Sequence, residues 1–254
     1  MKEEHHGPHI SIKAEPVFNI AGFHVTNSLL ASFIVIILFL LLAWYYSSEI
    51  NKKKKGGLFY VLHFVINALY GFFKSVVGNN IETFFPWLGA FFFYILFQNW
   101  FGLLPGVGSI MIKVLENGEE KLVPLLRANT ADLNTTIALG IIAVVLIQYF
   151  GVRFLGAKAH IAKYINTKGP IDFILGLLEV ISEFSRILSF SFRLYGNIFA
   201  GEVLIAIIVF ILPIFLPFAT LPFLMMEVFV GVIQALVFSM LTAVFLNIAV
   251  QKHH

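Results

Sequence analysis

A run of twenty residues from Asn27 to Tyr46 carries no charged side chain. A helix of about 20 apolar residues spans a hydrocarbon layer about 30 Å thick. Two similar runs, 83–104 and 133–150, follow, and 171–250 is almost as apolar. Lipid offers the backbone no hydrogen-bond partner, so such runs fold as helices. The sequence therefore predicts an all-α polytopic membrane protein.

The composition excludes several classes of protein. Hydrophobic residues make up 59% of the 254 residues and charged residues only 12%, whereas a soluble domain has about 25% charged residues. A soluble enzyme and a disordered chain are thereby excluded. The net charge of +3 is not gathered into a patch, so nucleic acid is not expected as a partner. The chain contains no Cys and no GxxxxGK[ST] loop, and we expect neither a cofactor nor direct nucleotide binding.

The chain divides into three predicted parts. Residues 1–26 are polar and form a segment outside the membrane; their His5, His6 and His9 either bind a metal ion or lie in an exposed stretch, which we favour. Residues 171–254 form two long helices, joined as a hairpin through the proline-rich stretch 213–222. Residues 27–170 hold the remaining elements: spans at about 27–46, 83–104 and 133–150, and an interfacial helix at about 58–77. Five membrane helices plus one interfacial helix are expected.

Basic residues predict the orientation. They are concentrated in 47–83, which contains Lys52 to Lys55, and in 151–170, which has no acid. Cytoplasmic loops carry an excess of Lys and Arg. We therefore expect the N-terminus outside and the C-terminus in the cytoplasm.

Ionisable side chains are scarce but present between residues 171 and 250. Each costs about 2.5–3.5 kcal/mol at the centre of a spanning helix, so they are expected to face protein or water and to mark an ion pathway. Apart from Tyr195, they are Asp172, Glu179, Glu183, Arg186, Arg193, Glu202 and Glu227.

Their spacing predicts two routes. Steps of three and four residues place a polar stripe on one helix face. Glu202, nine residues beyond Arg193, falls on roughly the opposite side at about 100° per residue. We interpret this as two water-accessible routes with a fixed cation between them. The stripe comprises Glu179, Glu183, Arg186, Ser189, Arg193 and Asn197.

Folding the two long helices antiparallel about Pro213 predicts their partners. One register brings Arg193 to Gln234 and Glu202 to Glu227. The Gln234 carbonyl can position the guanidinium. Two adjacent carboxylates repel as anions, so one of them should hold a proton. A structural hydrogen-bonded pair is the alternative.

Two further structural alternatives remain. Glu183 can pair with Arg186, three residues away, so that it and Glu179 are purely structural. Asp132 and Asn134 are expected to cap the span that follows them and not to carry protons.

The segment SFRLYGNIFAGE, Ser191 to Glu202, closely resembles the signature of subunit a of the F-type ATP synthases. Further matches are EPVFNIAGFHVTNS, NWFGLLPG, ADLNTT, LEVISEFSR and VIQALVF, which are spread over most of the chain. The resemblance implies a membrane stator subunit beside a rotating ring of c subunits. Two half-channels would carry protons to and from the ring carboxylate, with Arg193 separating them.

The resemblance also implies the role of each site residue. Asn197, Glu202, Glu227 and Gln234 would line the half-channel that opens to the outside. The cytoplasmic exit would use Glu179, Glu183 and Asp172, and Ser189 is included in the proton path. The long helices would lie strongly tilted against the ring. Some members have His where this chain has Glu227, which weakens the choice of H⁺ over Na⁺; H⁺ is still expected.

Expected partners are the c-subunit ring, the b-type peripheral stalk, the rest of the synthase, lipid and protons. The chain would be a non-catalytic subunit. Without a transit peptide we expect it in the bacterial cytoplasmic (inner) membrane, and an organelle-encoded copy is the alternative. An independent secondary transporter or channel is the alternative, but such proteins often have internal repeats and none is found. A membrane haem enzyme needs axial histidines within its membrane helices, and His63 is the lone candidate of that kind in the sequence.

Overall fold

The computed structural model describes residues 14–20, 23–104, 106–107, 110–116, 119–164, 169–211 and 216–251. His5, His6 and His9 lie outside the described residues. Helices dominate, as expected for an all-α polytopic membrane protein. They are α1 (Asn27–Glu49), α2 (Gly57–Val77), α3 (Ile81–Gly102), α4 (Leu133–Leu155), α5 (Ala157–Ile161), α6 (Pro170–Ile211) and α7 (Leu216–Val250).

Five helical stretches of the described chain are long and apolar enough to cross a membrane. Two helices outrun the predicted spans, because α1 continues to Glu49 and α4 to Leu155. Helical hydrogen bonds do not require apolar side chains, so a helix can continue past the apolar run. The five stretches are Asn27–Glu49, Gly57–Gly102, Leu133–Leu155, Phe173–Ile211 and Thr220–Val250.

Helix α2 has the bounds predicted for the interfacial helix to within one residue. Leu69, Phe73 and Val77, four residues apart, are buried, whereas Phe64 is 75% exposed. Gly78, with φ at +64°, ends the helix in a conformation that suits glycine. The position of α2 at a membrane interface stays a prediction.

Two β-hairpins lie in segments for which the sequence analysis predicted no strands. Strands β1 (Pro16–Ile20) and β2 (Phe23–Thr26) pair antiparallel. Strands β3 (Met111–Glu116) and β4 (Glu119–Pro124) do likewise. Each strand has only four to six residues, too few for alternation of polar and apolar residues to be distinctive. Strands β3 and β4 therefore lie between the second and third predicted spans, where no strand was expected.

The chain divides into two compact units. The first takes residues 1–41, 93–135 and 194–235. In it, Asn27 Nδ2 donates to the Pro124 carbonyl (3.2 Å) and Ser28 Oγ donates to Asp132 Oδ2 (3.2 Å). Asp132 Oδ1 accepts from the backbone N–H of Asn134 (3.2 Å), which confirms Asp132 as the cap of α4.

The second unit takes residues 42–92, 136–193 and 236–254. Aromatic rings fill its core; the centroids of Phe190 and Phe238 are 4.8 Å apart. Gly140 lets α4 approach α6 closely, because a Cβ there would lie 2.7 Å from Ser191 Oγ and 3.0 Å from the Ile187 carbonyl oxygen. This contact fixes the part of α6 that precedes Arg193.

Candidate functional site

Arg193 lies on the long unbroken helix α6, so the polar stripe predicted from the sequence belongs to a single helix. Its guanidinium Nη2 donates to Ser189 Oγ, one turn earlier, over 3.3 Å. Within the part of the chain that the structure describes, no carboxylate forms an ion pair with Arg193. The partner that the structure describes for the guanidinium is the Ser189 hydroxyl.

A groove of about 390 Å³ opens beside Arg193 within the second unit. Ser182, Ser185 and Ser189 lie along its α6 wall together with Arg186 and Arg193. The sequence analysis singled out Ser189 alone, although the steps of three and four from Ser182 to Ser189 put all three on one face. The hydroxyl groups can hold water beside the two guanidinium groups.

Glu183 is the centre of a polar cluster on the same helix. Its Oε1 accepts from Arg186 Nη1 (2.7 Å) and from the Tyr164 hydroxyl (3.4 Å). Its Oε2 is buried and has no hydrogen-bond partner among the described residues. The predicted Glu183–Arg186 pair is therefore present, and it leaves Glu183 Oε2 without a partner among the described residues.

The Tyr164 hydroxyl has two acceptors. It donates to Glu183 Oε1 and to Gln148 Oε1 (2.9 Å), but it carries one proton and serves one acceptor at a time. Burial raises the pKa of Tyr164 to about 12, with the negative charge of Glu183 adding to the effect. At neutral pH Tyr164 is thus protonated, and its hydroxyl can donate a hydrogen bond either to Glu183 or to Gln148.

His160 shares the Gln148 acceptor, with 2.6 Å between His160 Nε2 and Gln148 Oε1. Its ring packs on Gly151, where a Cβ would lie 2.4 Å from His160 Cε1. Burial lowers the pKa of His160, and the nearby charge of Lys163 lowers it further. At neutral pH His160 is therefore neutral.

The predicted exit contains two further acids, Glu179 and Asp172. Glu179 is half-buried and lies near Lys163, whose pKa is lowered by burial and partly restored by Glu179 and Glu183. Asp172 lies near the beginning of α6, and its side chain is outside the described residues.

Asn197 and Gln234 join α6 to α7 within the first unit. Asn197 Nδ2 donates to Gln234 Oε1 over 2.7 Å, and Gln234 is only 3% exposed. The sequence predicted Arg193 as the partner of Gln234. The donor that the structure describes for Gln234 Oε1 is instead Asn197, which lies one turn beyond Arg193 on α6. The pairing of Gln234 with Arg193 stays a prediction.

Glu227 is 5% exposed, and its carboxylate lies against Gly201 of α6. A Cβ on Gly201 would stand 1.5 Å from Glu227 Oε1, so only glycine leaves room for the acid. Gly201 immediately precedes Glu202, and the two carboxylates are close enough to repel each other. The contact that the structure records is therefore one residue before Glu202, and the pairing of Glu202 with Glu227 stays a prediction.

Helix α3 fixes α7 beside this acid. Trp100 Nε1 donates to the Val228 carbonyl (3.2 Å) and Asn99 Nδ2 donates to the Gly231 carbonyl (3.3 Å). These side chains belong to the NWFGLLPG segment, so that segment positions Glu227 through the backbone of α7.

Arg127 is a site residue that the sequence analysis missed. Its Nη2 lies 3.3 Å from Glu202 Oε2, and its side chain is 10% exposed against 35% for Glu202. Arg127 was not among the site residues predicted from the sequence. No local spacing could find it, because 75 residues separate the two partners.

Comparison with known proteins identifies the family of the chain. The family model described as ATP synthase A chain matches residues 29–247. The ATP synthase subunit a of Gloeobacter violaceus is 34% identical over 198 residues, 78% of this chain and 73% of the relative. The chloroplastic subunit a of Bigelowiella natans is 35% identical over 195 residues, 75% of this chain and 71% of the relative.

The chloroplastic subunit a of Oedogonium cardiacum is 37% identical over 170 residues, which are 66% of this chain. The match spans 60% of the length of that relative. Because the family model covers most of the chain and the relatives share its name, the chain belongs to the ATP synthase A chain family.

Proposed function

We propose that this chain is the proton-translocating subunit a of an F-type ATP synthase, in which two offset half-channels meet a rotating c-ring carboxylate and are separated by Arg193. The observation that carries the proposal is the state of Arg193. Arg193 is a cation in a membrane helix; it is hydrogen-bonded to Ser189 and forms no ion pair with a described carboxylate. A charge in this position is stabilised by an opposite charge, which a partner subunit would supply.

Arginine suits the role of a barrier. A guanidinium does not lose its proton in proteins, so it cannot pass one on, and its charge repels a cation that approaches. It still attracts the carboxylate of a passing ring subunit. A lysine could deprotonate on burial and let protons leak.

The first unit supplies the proposed outer half-channel. Asn197, Gln234, Glu202 and Glu227 provide amide and carboxylate groups between α6 and α7. The carboxylates can accept and release protons, and the Asn197–Gln234 bond fixes the amides beside them.

The second unit supplies the proposed cytoplasmic half-channel. Ser189 and its neighbours in the groove can hold water near Arg193. Glu183 has one buried oxygen without a described partner, and Glu179 and Asp172 precede it on α6. Together they offer proton acceptors along one helix.

Family membership supports the proposed assembly and a multi-pass membrane location. The chain would act with the c-ring, the b-type stalk and the other synthase subunits, and would have no catalytic site of its own. We place it in a bacterial cytoplasmic membrane with its N-terminus outside and its C-terminus inside. The long helices would lie tilted against the ring.

The test uses the purified synthase containing this chain, reconstituted in liposomes. An imposed pH gradient without Na⁺ should drive ATP synthesis, and Arg193→Ala should abolish it while the complex still assembles. Synthesis at the wild-type rate in the variant would remove the barrier role. Synthesis only after Na⁺ is added would make the subunit Na⁺-coupled, with Glu202 and Glu227 as cation ligands.

A further inference from the structure

We propose that Arg127 is a positioning residue that holds Glu202 as an anion and so leaves the proton of the acid pair on Glu227. The inference rests on the proposed function, because it assigns the proton within the outer half-channel. The sequence predicted that either Glu202 or Glu227 holds the proton. The proposal gives the two acids different roles.

The first step is the ion pair between Arg127 and Glu202. Arg127 Nη2 lies 3.3 Å from Glu202 Oε2, and the arginine side chain is 10% exposed. The guanidinium is charged at every relevant pH. A permanent opposite charge at this distance favours the ionised form of a carboxyl group.

The second step is the contrasting environment of Glu227. It is 5% exposed, and its carboxylate faces the backbone of α6 at Gly201. No cation pairs with Glu227 in the ranges that the structure describes. An unpaired buried carboxylate costs far more as an anion than as a neutral acid. Of the two neighbouring acids, Glu227 is thus the one that takes the proton.

Three other titratable groups bear on the charge of Glu202. Glu227 faces it from α7, and Tyr195 lies on α6 within electrostatic reach of Arg127, Glu202 and Asp132. Asp132 caps α4 and accepts from Ser28 Oγ, so both of its oxygens are occupied. Among these groups Arg127 is the cation, and Glu202 is its direct partner.

The arrangement has a consequence for proton movement. Glu202 provides a standing negative charge that attracts an incoming proton, while Glu227 carries the proton on α7. Arg127 pairs with Glu202, so it acts on the proton through that carboxylate.

The experiment measures ATP synthesis by the whole synthase in liposomes at a fixed membrane potential and a fixed external pH. The internal pH, which faces the outer half-channel, is varied. Without Arg127 the acid pair takes up an additional proton at higher pH. Arg127→Gln should therefore move the pH of half-maximal rate upward by about 1–3 units. Arg127→Lys, which keeps the charge, should give nearly the wild-type profile.

Two further variants identify the route of the effect. In Glu202→Gln the charge that Arg127 acts on is gone, so adding Arg127→Gln should cause no further shift. Lys52→Gln removes an exposed cation that pairs with Glu49 and not with an acid of this site, and it should leave the profile unchanged. A uniform loss of rate without a shift, or independent shifts in the double variant, would overturn the proposal.

A second measurement remains decisive if Arg127→Gln does not assemble. The infrared spectrum of the assembled synthase should contain a protonated-carboxyl band that disappears in Glu227→Gln and persists in Glu202→Gln; the reverse result would refute the assignment. Arg193→Ala tests the proposed function separately. Loss of synthesis in that variant, combined with an unshifted Arg127→Gln profile, would reject the role of Arg127 alone.

Discussion

Asn197 donates a 2.7 Å hydrogen bond to Gln234, and the buried Gln234 Nε2 has no acceptor among the described residues. The amide of Gln234 is thus fixed through its oxygen, while its NH₂ group is left to meet water or a partner. This single bond links α6 to α7 one turn beyond Arg193. Its loss should free the amide to rotate.

We predict that Asn197→Ala lowers proton-driven ATP synthesis by a factor between about 5 and about 150. An unsatisfied buried acceptor costs about 1–3 kcal/mol, and about 1.4 kcal/mol corresponds to a tenfold change in rate. The double variant with Gln234→Ala should be less impaired than the product of the two single effects, because the residues share one interaction. Asn247→Ala removes a comparable 2.8 Å bond to the Val76 carbonyl and serves as the control.

Gly201→Ala should displace the Glu227 carboxylate, because the new Cβ would stand 1.5 Å from Oε1. Misplacing a reacting group by about 1 Å can lower a rate about 100-fold, so we expect the rate of ATP synthesis to fall by up to that factor. The shorter acid in Gly201→Ala/Glu227→Asp should recover part of the rate. Gly71→Ala, whose Cβ would meet nothing within 4 Å, is the matched control. An unaffected Gly201→Ala synthase would show that the position of Glu227 is unimportant.

The docking of His160 should depend on pH. Burial lowers the pKa of His160 below its ordinary 6.5, so the docked ring binds fewer protons than the undocked ring. Docking is therefore at full strength above pH 6.5 and weakens as the pH falls through that value towards the lowered pKa. Hydrogen exchange of α5, corrected for intrinsic rates, should show protection that decreases on acidification.

Two variants check this dependence. His160→Gln removes the titrating group and should abolish the pH dependence of α5 protection. Gly151→Ala pushes a Cβ to within 2.4 Å of the ring and should lower the protection at every pH. Protection in the wild-type chain that stays constant from pH 7.5 to pH 5 would contradict the role of His160.

Much of the fold could be predicted from the sequence because its signals are local. An uncharged run from Asn27 to Tyr46 predicts a helix on its own, and Asp132 before an apolar run predicts a cap. The position of Arg193 among acids and serines at steps of three and four likewise follows from the 3.6-residue period of one helix. The hairpins were missed because their strands are short.

The sequence by itself determined the membrane helices, the polar stripe on α6 and the acids that accompany Arg193. Only the tertiary structure decided which groups meet: Arg127 with Glu202, Tyr164 with Glu183, and Glu227 with Gly201. The periodicity of a helix fixes neighbours within about four residues and carries no information about a loop 75 residues away. Such pairs depend on how the chain packs, and that packing distinguishes the two acids of the candidate site.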